Sequence, residues 1–327
     1  MSTPRLTDVV TIGESMLSLQ PMNEGPIAHA PLFNRSIAGA ESNIAIGLTR
    51  LGYRVRWISR LGQDPFGDVI AATIAGEGVD VSMLQRDSKY PTALYFKEFK
   101  GYGDPNVFYY RSGSAMSQLS PEHVCDEWFE GAKHLHVTGI TPALGPQTTD
   151  AIRTAMQRAR ALGLTVSFDP NLRRKLWGEE VARKTLLSLV PLCDLFLPGI
   201  EEAEFLLGHQ SHEEYGKTFL SMGPSTVFLK LGEHGALGFS GDLTVRAQPY
   251  DVKRIVDTVG AGDAFATGIL SEWLKSGSFD DEGSMTNALA RGNLMGALAT
   301  QFKGDWEGLP RKDELERLLS GKGEITR

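Results

Sequence analysis

Short runs of β-branched and apolar residues recur along this 327-residue chain, with helix-patterned segments filling the intervals. The runs are V-V-T-I at 9–12, V-R-W-I-S at 55–59, L-H-V-T at 135–138, L-T-V-S-F at 164–168, D-L-F-L at 194–197 and T-V-F-L-K at 226–230. They are too short for helices and read as strands buried on both faces. The intervals hold N-I-A-I-G-L-T-R-L (43–51), D-V-I-A-A-T-I-A (68–75) and D-A-I-R-T-A-M-Q-R-A-R-A-L (150–162), the last stopped by Gly163. Strand and helix in alternation build parallel crossovers of one hand. The pattern therefore predicts an α/β fold, a doubly wound, mostly parallel sheet flanked by helices, in one domain spanning 1–327.

Two segments, approximately 14–37 and 90–111, break the rhythm. They carry strand-like pieces with no helix between them: S-M-L-S-L-Q-P, T-A-L-Y-F-K-E-F-K and, after the turn G-Y-G-D-P-N, N-V-F-Y-Y-R. A small β-sheet outside the main layer accounts for both. It is either a lid that closes over a ligand at the strand ends or a pair of edge hairpins with no moving role. An exposed sheet of this kind pairs readily with another subunit, so a homo-oligomer through the lid is expected.

The net charge of -7 argues against a nucleic-acid surface or a polybasic membrane face. No segment approaches eighteen consecutive apolar residues, and the opening M-S-T-P-R-L-T-D has no long apolar run before its first strand. Cys125 and Cys193 are too few for a disulfide framework. Together these predict a cytoplasmic protein that binds small molecules, with neither nucleic acid nor membrane as a partner.

The chemistry is concentrated in D-T-V-G-A-G-D-A-F at 257–265. Ala264, Phe265, Ala266, Ile269 and Leu270 fit a buried helix starting near Gly262 or Asp263, which puts Gly260 and Gly262 at its N-terminus. Helix-start amides lack intrahelical acceptors and attract anions, and glycines leave room for close approach. Asp263 is read in two ways: as an ordinary acid of the first helical turn, or as a base that takes a proton from a hydroxyl attacking a phosphoryl group held by the loop. No G-x-x-x-x-G-K-[ST] stretch exists, and 260–268 has the wrong spacing for a dinucleotide fingerprint.

D-T-V-G-A-G-D-A-F resembles the C-terminal signature of the ribokinase-like (PfkB) carbohydrate kinases, and A-G-A-E-S-N at 38–43 resembles their N-terminal glycine signature. The resemblance runs over nearly the whole chain. It implies a doubly wound domain with a β lid, and ATP-dependent, magnesium-assisted phosphorylation of a sugar or nucleoside hydroxyl. Asp263 falls on the catalytic base, and Gly260, Ala261 and Gly262 fall on the anion hole. Asp257 matches a position that in several members helps to form a monovalent-cation site, which implies potassium. Lys230, Gly232 and Gly235, in F-L-K-L-G-E-H-G-A, lie on the segment resembling the nucleotide contacts, and Asn293 matches a position near the adenine. The family's metal-linked Asn-x-x-Glu is here Gly199-Ile200-Glu201-Glu202. Glu202, the indirect magnesium partner, is kept, and the asparagine is glycine.

Within the family, F-Y-Y-R-S-G-S-A (108–115), H-V-T-G-I-T-P-A-L (136–144), D-P-N-L-R-R-K-L-W (169–177) and G-D-W-E-G-L-P (304–310) are most similar to the 2-keto-3-deoxygluconate kinases. A sugar acid carries a carboxylate that arginine's planar fork recognises. Arg111 and Arg173 are the candidates, with Arg174 and Lys175 as neighbours. Tyr95 and Tyr109 offer phenolic hydrogen bonds. The match puts Gly39 against the sugar and Ile140 in its pocket. The open alternatives are a kinase for fructose, ribose or adenosine, and a silent sugar or nucleotide sensor. His134 and His136 share a strand face, and F-D-D-E-G at 279–283 is acidic. Neither has the further ligands of a metal site, so both read as packing and solvated loop.

Overall fold

The computed structural model describes residues 7–23, 25–98 and 106–321. The chain begins with β1 (Val9–Ile12), leaves the main layer through β2 (Met16–Pro21) and β3 (Phe33–Ala38), and returns by α1 (Ala40–Arg50) to β4 (Val55–Ile58). Then follow β5 (Arg60–Gly62), α2 (Pro65–Gly76), β6 (Gln85–Asp87), β7 (Leu94–Glu98) and β8 (Asn106–Tyr110). Alternation resumes with β9 (His134–Thr138), α3 (Pro146–Ala161), β10 (Thr165–Asp169), α4 (Glu179–Leu189), β11 (Leu195–Phe196), α5 (Ile200–Leu207) and α6 (His212–Ser221). Strands β12 (Thr226–Lys230), β13 (Ala236–Ser240) and β14 (Leu243–Ala247) precede α7 (Ala261–Ser276), α8 (Glu282–Ala299) and α9 (Lys312–Leu319).

Among the described residues the main sheet has the order β14-β13-β12-β11-β10-β9-β1-β4. All pairs from β12 to β4 are parallel, and β13 and β14 add an antiparallel edge. Helices cover both faces. Ile152, Met156, Leu186 and Phe219 build one core against β9 and β10, while Ile44, Phe265, Ile269 and Leu289 build another on the opposite face. Burial on both sides is why these strands read as unbroken apolar runs. From β1 the chain builds outward to β4 on one side and to β9 on the other. Loops leaving the ends of β1 and β9 therefore diverge and open a crevice.

The small sheet has the order β3-β2-β7-β8. Its inner face packs Met16, Ala38, Ala93 and Tyr95. Its outer face carries an edge-to-face row, Phe33 to Phe96 at 5.6 Å and Phe96 to Tyr110 at 5.8 Å. The predicted turn at 101–106 falls largely outside the described residues, which resume at Asn106.

Element ends differ from the sequence reading where prolines and glycines start helices. The predicted helix 150–162 begins at Pro146, whose missing amide costs nothing in the first turn. The predicted 43–51 helix begins at Ala40, so the A-G-A-E-S-N signature straddles a strand-to-helix junction capped at Gly39.

His134 and His136 stand in the core side by side. The Ser167 hydroxyl is 2.7 Å from His134 Nε2 and 2.7 Å from His136 Nδ1, and Thr165 lies 2.7 Å from His134 Nδ1. Burial pushes both pKa values down from 6.5 to about 3. The folded state keeps them neutral where an unfolded chain takes protons, so their contribution is full above about pH 6.5 and is lost as pH falls. Denaturant titrations should show stability declining with acid more steeply in the wild type than in a His134→Gln/His136→Gln variant. Equal slopes would refute this.

Candidate active site

Helix α7 starts one to two residues earlier than the sequence predicted, at Ala261, because Gly260 takes the left-handed turn that launches it, with φ 80°. A Cβ on Gly260 would lie 2.1 Å from the Asp305 carbonyl oxygen. Only glycine fits on both counts. The first amides of a sixteen-residue helix thus face outward with no side-chain cap. Lys230, at the end of β12, sends its ammonium to this cradle, 3.9 Å from where a Gly262 Cβ would be. The same ammonium binds Asp169 Oδ2 at 2.6 Å. Burial pushes Asp169 up to about 6 against the pull of Lys230. Burial also opposes the Lys230 charge, but Asp169 and Glu202 outweigh it and raise its pKa. At neutral pH the pair is charged.

Asp263 lies in the first turn of α7, 7% exposed. Asn43 Nδ2 donates to its Oδ2 at 2.8 Å, and Asn171 Nδ2 donates to its Oδ1 at 3.3 Å. Burial raises its pKa above the ordinary aspartate value, while the Asn43 hydrogen bond and the Arg173 and Lys230 charges restrain the rise. Two Nδ2 groups, which only donate, fix the carboxylate's plane. Both asparagines were missed as site residues by sequence reasoning, although they sit inside the quoted A-G-A-E-S-N and D-P-N-L-R-R stretches. Asn171 has φ 36°, which among the described residues no other non-glycine shares on the positive side. Strain of this kind is held in place by surrounding contacts.

Glu41 is a further residue that sequence reasoning passed over. It is fully buried, accepts from the Thr138 hydroxyl at 2.7 Å, and its carboxyl fills the space beside Gly13 where a Cβ would lie 2.0 Å away. Burial, with help from Asp263, pushes it up to about 7.

The residues expected on the nucleotide side line one groove. A cleft of about 630 Å³ runs between Lys230, Gly232 and Gly235 on one wall and Gly292, Asn293, Gly296 and Ala297 on the other, ending at Ala261 and Gly262. Asn293 Nδ2 donates to the Gln248 carbonyl at 2.7 Å, which holds the wall in place.

Toward the small sheet, Gly39 faces the β1 loop; a Cβ there would lie 2.4 Å from the Glu14 carbonyl. Tyr95 is buried, with its ring 5.8 Å from that of half-exposed Tyr109. Arg111 stacks over Tyr109 at 5.5 Å. Its guanidinium also lies 2.7 Å from Glu14 Oε2, at an angle that leaves Nε and Nη2 without a hydrogen-bond acceptor among the described residues. Glu14 is steadied by the Ser114 hydroxyl at 2.6 Å. Ile140 is buried and donates its amide to Thr138. Arg173 differs from Arg111. It is exposed, its side chain has no hydrogen-bond or ion-pair partner among the described residues, and its charge reaches Asp263. Arg174 is turned to Glu179 at 2.7 Å.

The two residues expected near metals each have partners in the structure. Glu202 accepts the Gly199 amide at 2.6 Å and the Leu172 amide at 2.7 Å, capping α5 and anchoring the loop that carries Asn171. Asp257 holds Lys97 of β7 at 2.6 Å.

A helix-start anion cradle at the end of a groove, with a buried acid one residue further on, defines the class of small-molecule kinases. The chain belongs to the pfkB family of carbohydrate kinases, whose profile matches residues 6–312. A 2-dehydro-3-deoxygluconokinase of Bacillus subtilis (strain 168) is 41% identical over 317 residues, covering 96% of each chain. A probable fructokinase-4 of Arabidopsis thaliana is 31% identical, covering 96% of this chain and 97% of its own. Among solved structures, a PfkB protein from Polaromonas sp. JS666 superposes with a TM-score of 0.85 at 39% identity, covering 95% of this chain and 99% of that one. A putative ribokinase II from E. coli in complex with ATP and Mg2+ gives 0.87 at 29%, covering 97% and 100%. A fructokinase double mutant from Vibrio cholerae O395 in a form with fructose, ADP and potassium gives 0.85 at 28%, covering 96% and 98%.

Proposed function

We propose that this chain transfers the γ-phosphoryl group of ATP to a hydroxyl of 2-keto-3-deoxygluconate, forming the 6-phosphate and ADP. The observation that carries the reading is Asp263, fixed by Asn43 and Asn171 beside the Gly260 to Gly262 amides. Asp263 takes the proton of the attacking hydroxyl as the new O–P bond forms and the bond from the γ-phosphorus to the bridging oxygen of ADP breaks. The cradle amides and Lys230 meet the charge on the phosphoryl oxygens. Magnesium bound with the nucleotide would neutralise phosphate charge, and Glu202, which accepts the Gly199 and Leu172 amides, keeps the neighbouring loops in place. The small sheet acts as the lid, and its outer aromatic row suits a second copy of the chain.

Two observations support a sugar acid as acceptor: the likeness to the Bacillus subtilis kinase and the unpaired charge of Arg173 beside Asp263. Two favour a neutral sugar: Glu14 already compensates Arg111, and a fructokinase matches over as much of this chain, at 31% identity. A silent sensor would have no use for the fixed base.

ADP release measured with keto-deoxy sugar acids, fructose, ribose and adenosine decides between them. Fructose as the best acceptor would overturn the sugar-acid reading. Arg173→Ala should raise the Michaelis constant for the sugar acid roughly 10- to 100-fold, the worth of a charged hydrogen bond, with little change for fructose. Equal changes for both would show that Arg173 does not read the carboxylate.

A further inference from the structure

Lys97 is a charged residue in the buried interior of a strand. Its side chain is 2% exposed, and the Asp257 carboxylate it meets is 5% exposed. The other Asp257 oxygen accepts the Val259 amide at 3.2 Å, while the Val256 and Asp257 amides both bind the Thr300 carbonyl. Asp257 is therefore the fixed point of the loop that leads into the anion cradle. Asp305 stands on the far side of that loop, with its carbonyl against Gly260. Burial pushes the Asp305 carboxyl up to about 7, and the Lys97 charge opposes the rise.

Two carboxyl groups thus flank a loop whose amides are there to attract an anion. Uncompensated, they repel it. A cation beside them offsets that repulsion, and the one in place, paired with Asp257 at 2.6 Å and lowering the Asp305 pKa by its charge, is tethered to β7 of the small sheet. A second contact runs the same way: the Ser36 hydroxyl of β3 donates to Glu307 at 3.0 Å. β3 thus holds the 304–307 loop, while β7 holds Asp257. The Asp257 carboxylate already has a monovalent cation against Oδ2, the Lys97 ammonium, while Oδ1 accepts the Val259 amide.

We propose that the Lys97 ammonium is a built-in monovalent cation: it stands where the family resemblance implies potassium, neutralises Asp257 and Asp305, and makes order in the cradle depend on the seating of the small sheet. The inference rests on the phosphoryl-transfer reading of the cradle. Lys97 is a positioning residue, since it acts through the loop.

Thermal unfolding and ADP release, each measured in potassium, sodium and tetramethylammonium chloride at equal ionic strength, test it. The wild type should give the same melting temperature and turnover in all three salts. Lys97→Met should lose turnover about tenfold or more in tetramethylammonium, then recover turnover and melting temperature in potassium, a rescue that a merely structural lysine would not show. A potassium-specific rise in wild-type melting temperature or turnover overturns the proposal, and so does a folded Lys97→Met that ignores potassium. If Lys97→Met fails to fold, the wild-type salt series decides alone. The melting series also stands if no acceptor in the panel is phosphorylated, so it separates this inference from the substrate reading.

Discussion

Asp263→Asn should abolish most turnover, lowering kcat roughly 10²- to 10⁴-fold with the Michaelis constant for ATP within a few-fold of wild type. The substitution keeps the shape of the side chain and removes its basicity. The cradle amides, Lys230 and the groove that runs to Asn293 are untouched, so nucleotide binding survives. The amides of Asn43 and Asn171 point at both carboxylate oxygens, so the new amide must turn one N–H toward another donor. A modest loss of stability should therefore accompany the kinetic one. The pH profile gives a second reading. Burial raises the Asp263 pKa, and a base must be deprotonated to work, so kcat/KM should fall as pH drops through a range above that of an exposed aspartate. In Asp263→Asn this acid limb should vanish. Turnover within a few-fold of wild type would end the assignment of Asp263 as the base.

Gly260→Ala should be nearly as damaging, for a reason of shape. An alanine at φ 80° pays roughly 1–2 kcal/mol of backbone strain, and its Cβ would overlap the Asp305 carbonyl, 2.1 Å away. Both backbones must move, and the amides they aim move with them. Loss of one such donor from a transition-state cradle lowers kcat about 10²- to 10³-fold. Gly277 is the control, because it ends the same helix at φ 74° with nothing within 4 Å of an added Cβ. Gly277→Ala should lower the melting temperature by a few degrees, as strain alone requires, and leave kcat intact. If Gly260→Ala behaves like Gly277→Ala in an ADP-release assay, the cradle is not where phosphoryl charge is met.

The main layer was readable because both faces of its strands are covered, which leaves each as an apolar run between helix patterns. The small sheet was readable from the same rule in reverse, since strand pieces without helices had to pair outside that layer. The cradle announced itself through glycine spacing. What stayed hidden depends on contacts between distant segments. Asn43 meets Asp263 across 220 positions, and nothing local distinguishes it from any polar residue early in a helix. Lys97 reads as an ordinary strand lysine until Asp257 is found beside it, 160 positions away. Arg111 and Arg173 looked equivalent in sequence, and only the neighbouring Glu14 separates a compensated charge from an open one. Glu202 kept its identity while its carboxylate turned to backbone amides.

The place of β1 between β4 and β9, one strand in from the edge of the main sheet, has a consequence for how the protein is made. Val9 pairs with Val55 on one side but must find His134 on the other. At about 5–20 residues per second, ribosomal synthesis delivers that second neighbour on the order of ten seconds after the first. During this interval one edge of a strand that ends fully buried stands unpaired, with its amides and carbonyls open to any passing strand. The nascent chain is then most exposed to mispairing, and chaperone demand should peak before β9 leaves the ribosome.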